Sequence, residues 1–217
     1  MPEPRSSFRP VDLAAAAPDL ALAALFLVAW VAPATFRTGT ITYLMLLMLL
    51  EFIIVHSSAF MGKVMLGDLE RARKALALVG IGGFYTLFVG GFALAFKTWW
   101  PLWSFWGLTV NRLLGVLVGQ APEGERRELL QKNWAVSALC YLGLCFVTVF
   151  LPLPRLGITR EVVSLESLPG SGLWVDQPHR VVAFGFLYFA AVGISELFGH
   201  AWMPAGSLPG PARSSNA

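Results

Sequence analysis

Glu51 and His56 stand inside "LLMLLEFIIVHSSAFMG", residues 46–62, a stretch that otherwise reads as lipid-soluble helix. A carboxylate can bind a cation or pass a proton, and histidine changes charge near neutral pH. The two residue types therefore point first to proton or cation handling. Five positions separate them, which on a helix turns their side chains about 140° apart. They address different neighbours and do not form a local dyad. Asn111 with Arg112, and Glu196 with His200, are the other polar groups embedded in apolar sequence.

Two further chemistries compete. His56, Glu196 and His200 are ligand types for a divalent metal or, through the two imidazoles, a haem, and Glu196 and His200 share one helix face. The Glu-x-x-His motif of carboxylate-bridged bundles is absent, however. Ser57 and Ser58 beside His56 invite a hydrolytic reading. Adjacent helix residues diverge by about 100°, and no G-x-S-x-G elbow is present. An enzyme is thus the weaker expectation, with no catalytic residue assigned and no cofactor required.

The elements that must position these groups follow from composition. The chain has 217 residues, 56% hydrophobic and only 13% charged, with a mean hydropathy of +0.66. Soluble domains carry about 25% charged residues, so lipid is the expected solvent. The net charge of +3 reads as loop Lys and Arg, and no basic stripe, P-loop or nucleic-acid motif appears. Cys140 and Cys145 sit five apart in one apolar run, which excludes a mutual disulfide.

A spanning helix needs about 20 mainly apolar residues. Six stretches answer to this, 18–36, 41–62, 74–96, 101–119, 134–151 and 180–200, so the expected fold is all-α, a polytopic membrane bundle. Pro18 and Pro101 suit first helical positions, while Pro152, Pro154 and Pro204 follow helix ends. Tails over 1–17 and 204–217 read as disordered, and loop 152–179 as outward-facing. Ala32-Pro33-Ala34 has the form of a signal cleavage site, but Glu3, Asp12 and Asp19 in the leader argue for a retained span.

Lys and Arg set the orientation. Arg5, Arg9, Lys63, Arg71, Arg73, Lys74, Arg126, Arg127, Lys132 and Arg213 fall on one side, against Arg37, Lys97, Arg155, Arg160 and Arg180 on the other. Both termini are then cytoplasmic, as in a bacterial inner membrane. Trp30 and the Trp99, Trp100, Trp103 and Trp106 group read as an outer aromatic belt, and His179 as interfacial.

Counting about 1.5 Å per residue from each outer end yields two expected polar layers. Glu51, Asn111 and Arg112 fall near the midplane, where an arginine would neutralise the carboxylate. His56, Glu196 and His200 form a second layer nearer the cytoplasm. Gly107, Asn111, Gly115 and Gly119 recur every four residues, a small-residue seam that lets a neighbouring helix, a second copy or a larger membrane complex approach. The leading expectation is a small transport or permeation protein, proton- or cation-linked. A non-catalytic subunit of a larger complex and a haem or metal redox protein are the alternatives.

Overall fold

The computed structural model of this chain describes residues 10–118, 124–166 and 168–200. The tail segments 1–9 and 204–217, with Gly119, lie outside the described residues. Helices α1 (Pro10–Val31), α2 (Thr40–Leu66), α3 (Arg71–Ala95), α4 (Trp100–Leu117), α5 (Gly124–Phe150), α6 (Arg160–Ser164), α7 (Leu173–Asp176) and α8 (Pro178–Leu197) follow one another, with no strand among the described residues. Among the described residues five helices are long and apolar enough to cross a membrane: Asp12–Val31, Thr40–Leu66, Arg71–Ala95, Arg127–Phe150 and Pro178–Leu197. This is a helical, membrane-embedded bundle. Helix α4 is not among the five, because Asn111, Arg112 and its tryptophans dilute an 18-residue segment.

Pro18 lies inside α1 instead of opening it. The alanine run at 14–17 is strongly helix-forming, and Asp12 in the first turn suits the positive end of the helix. Helix α8 is the axial element, with 56% of its spanning window buried. It meets α1 closely because Gly185 faces the Phe26 ring and Gly193 faces Leu20. Arg180, at the start of α8, donates to the carbonyls of Thr148, Val149 and Leu151 at 2.8–3.0 Å, closing the C-terminus of α5. One core joins α1, α5, α8 and the first half of α2 around Phe26, Met48, Tyr141 and Phe184. A second joins α3, α4 and the last part of α2 around Leu50, Met61, Tyr85 and Phe105.

Several polar expectations resolve differently here. Trp99 and Trp103 face outward, 55% and 73% exposed, but Trp30 is 8% exposed and donates through Nε1 to the Pro154 carbonyl at 3.0 Å. Trp106 turns inward to the Thr86 hydroxyl. His179, at the start of α8, is buried within the protein. Both cysteines are free thiols.

The loop after α5 has a definite task that its mixed composition concealed. Glu166 Oε1 accepts from the Gly39 N–H at 2.9 Å, and Oε2 accepts from the Thr42 N–H at 3.0 Å and its hydroxyl at 2.7 Å. A distant carboxylate thus caps the N-terminus of α2, where Gly39 takes the left-handed φ of 95°. Charge-assisted bonds of this kind are the stronger ones. Glu166→Ala should cost about 1–3 kcal/mol, read as a lower chemical-denaturation midpoint in detergent, with Glu166→Gln in between.

Candidate functional site

A cavity of about 1040 Å³ lies between α2, α4, α5 and α8. Its lining runs from Lys63, Gly67, Asp68 and Arg127, at the end of α2 and start of α5, to Glu51 and Tyr188 in the middle of α2 and α8. Beyond Glu51 and Tyr188, Tyr141 and Phe184 pack edge-on with ring centroids 4.8 Å apart, and the Tyr141 hydroxyl donates to the Met48 carbonyl at 2.7 Å. The lining residues therefore all lie to one side of this aromatic layer.

Glu51 is held by the Tyr188 hydroxyl, which donates to Oε1 at 2.7 Å; Ser137 lines the cavity with them. Further along α8, Glu196 accepts from Asn133 Nδ2 at 3.3 Å, and Asp19 of α1 lines the same cavity. On the opposite wall Arg112 donates through one terminal nitrogen to Ser58 Oγ at 2.6 Å and through the other to Met61 Sδ at 3.1 Å. Asn111 is exposed into the same cavity. The faces of Gly107 and Gly115 have no atom within 4 Å of an added Cβ, so the expected seam on α4 is not packed within this chain.

Glu51 and Arg112 share the cavity without pairing, and the cause is register. Tyr85, about ten residues before the end of α3, meets His56, about sixteen residues into α2. The turn between α3 and α4 thus stops roughly 9 Å short of the start of α2. Helix α4 begins correspondingly deeper, and Arg112 arrives at Ser58, about two turns past Glu51 on the same face of α2. Counting every span from a common outer plane missed this offset. Groups about 10 Å apart with separate partners should contribute independently. Glu51→Gln and Arg112→Gln are therefore expected to lower the unfolding midpoint additively, with a coupling below about 0.5 kcal/mol in a double-mutant cycle.

The second expected layer divides. Trp134 donates to the Val55 carbonyl at 3.1 Å and its neighbour Asn133 meets Glu196, which sets Glu196 near the height of His56. Their directions differ: His56 is exposed on the outer face of α2, its Nδ1 2.8 Å from the Tyr85 hydroxyl and its ring stacked on Phe52. His200 is buried, with Nδ1 2.8 Å from Ser195 Oγ and Nε2 bonded to Asn133 Oδ1. Burial, and then the nearby positive charge of Lys132, push its pKa below the ordinary histidine range. Asn133 thus bridges His200 to Glu196, and an amide fixes positions without readily passing a proton. His56, Glu196 and His200 do not converge on one point, and among the described residues no three His, Cys, Asp or Glu side chains gather where a metal ion could sit.

Asp19, Tyr188 and Asn133 were not singled out as site residues from sequence. Asp19 carried a readable signal, a carboxylate amid alanine and leucine; Tyr188 and Asn133 carried none. Among the smaller pairs, Lys132 and Glu128 meet at 2.8 Å, whereas Glu70 pairs with Arg73 at 3.8 Å and Lys74 turns to the Met65 carbonyl. Comparison with protein-family models, curated proteins and solved structures finds no match. What fold and site define together is a class: a helical membrane-embedded protein with a polar cavity lined by acids and an arginine.

Proposed function

We propose that this chain is a small proton- or cation-linked transport or permeation protein in a bacterial inner membrane, with both termini cytoplasmic. Helix α4 serves as the sixth span in this reading; its 18 residues extend about 27 Å, close to the hydrocarbon thickness of about 30 Å. The observation that carries the proposal is the cavity itself, its lining reaching Glu51 beside an aromatic layer. Ionisable groups inside a membrane are expensive and are kept where a pathway uses them. In this reading the acids meet water from one end and are closed off at the other by the aromatic layer, the form of one half of an alternating-access cycle.

Reconstitution into liposomes with an internal pH-sensitive dye tests this. Imposed proton, sodium and potassium gradients should each be tried, and one should drive flux that falls at least tenfold in Glu51→Gln. A variant that folds, with no flux under any gradient even in the native protein, would instead leave a non-catalytic subunit of a larger complex.

A further inference from the structure

The feature of the cavity that its own residues leave unresolved is the charge on Arg112. Among the described residues the ion pairs within 4 Å are Arg73–Glu70 and Lys132–Glu128, so Arg112 has no carboxylate partner. Its partners are a hydroxyl and a thioether. A guanidinium presents five N–H donors in a planar fork suited to oxyanions, and a thioether is a weak acceptor for any of them. Taking that charge out of bulk water is costly unless an anion compensates it. The reach to Met61, which has no exposed surface, draws the group inward instead of letting it extend toward the membrane surface.

We infer that Arg112, positioned by the Ser58 oxygen and joined by Asn111, anchors the oxyanion end of a small solute, which rests on reading the cavity as a transport pathway. The other acids of the lining set the solute's total charge. Asp19, Glu51 and Glu196 line the same cavity as Arg112. A monoanionic carboxylate meets Arg112 with less repulsion from these acids than a dianion does. The substrate class is a small monocarboxylate, moving with the proton or cation that the acids hold.

The same oxyanion chemistry is present in a lipid phosphate, so the test has two arms. Full-length protein in a phosphate-free maltoside detergent is titrated with lactate, succinate or chloride at matched ionic strength, and separately with phosphatidylglycerol, while the thermal midpoint is followed. Lactate should give a saturable rise, with succinate at least several-fold weaker and chloride without effect. Arg112→Lys should weaken lactate about tenfold, since it keeps the charge and loses the fork, and Arg112→Gln should abolish the response. If Arg112→Gln does not fold, Ser58→Ala, which frees the guanidinium from one partner, should still shift the lactate midpoint several-fold. Equal responses in native protein and Arg112→Lys, or a response to phosphatidylglycerol alone, would overturn the assignment. Arg112-dependent lactate binding without flux would retain this site and remove the transport reading. Flux with no such binding would do the reverse.

Discussion

Gly185→Val should leave little folded protein. A Cβ at this position would lie 2.2, 2.4 and 2.6 Å from Cε1, Cδ1 and Cζ of Phe26, far inside contact distance, and Phe26 has no exposed surface into which to retreat. Its ring is also held by Phe189, 5.6 Å away between centroids. Overpacking ordinarily costs about 1–3 kcal/mol; valine adds a branched side chain where even one carbon does not fit, and a loss above about 4 kcal/mol is expected. The measurements are the monodisperse fraction after extraction and the denaturation midpoint. Phe26→Ala alone should cost about 3–5 kcal/mol, yet in that background Gly185→Ala should cost much less than in the native chain. Strictly additive losses would show that the ring is not what forbids a side chain at 185.

This glycine shows which parts of the molecule were legible in sequence. Apolar length is a local property, so the helices could be read directly, and the 140° separation of Glu51 from His56 correctly assigned them to different neighbours, Tyr188 and Tyr85. Heights across helices are not local. They depend on how far each turn reaches, and the short α3–α4 turn moved Arg112 from Glu51 to Ser58. Close packing was expected at Gly107 and Gly115, which are open within this chain, while some of the tightest approaches are at Gly185 and Gly193, where no four-residue repeat advertises them. Tyr188 and Asn133 are polar residues of types that commonly fill cores or interfaces. Only the fold brings them to a carboxylate. Glu166 is a sharper case, because nothing near it in sequence indicates a helix end about 124 residues away.

Phe184→Ala should convert a closed cavity into a leak. Phe184 has no exposed surface and packs on Tyr141 at 4.8 Å and Trp174 at 5.7 Å between centroids, one turn of α8 from Tyr188, which holds Glu51. Truncation leaves a ring-sized void and should cost about 3–5 kcal/mol. That loss alone would not distinguish a seal from any other core residue. Phe26→Ala is the control: an equally buried ring in the same cluster, packed between α1 and α8 and absent from the cavity lining. If the aromatic layer is what blocks passage, liposomes bearing Phe184→Ala should dissipate a proton gradient at least several-fold faster than those bearing Phe26→Ala, at matched stability. Adding Glu51→Gln should then slow the leak, because the carboxylate lies directly beneath the opened layer. Equal leak rates for the two ring deletions would mean that the barrier lies elsewhere in the bundle.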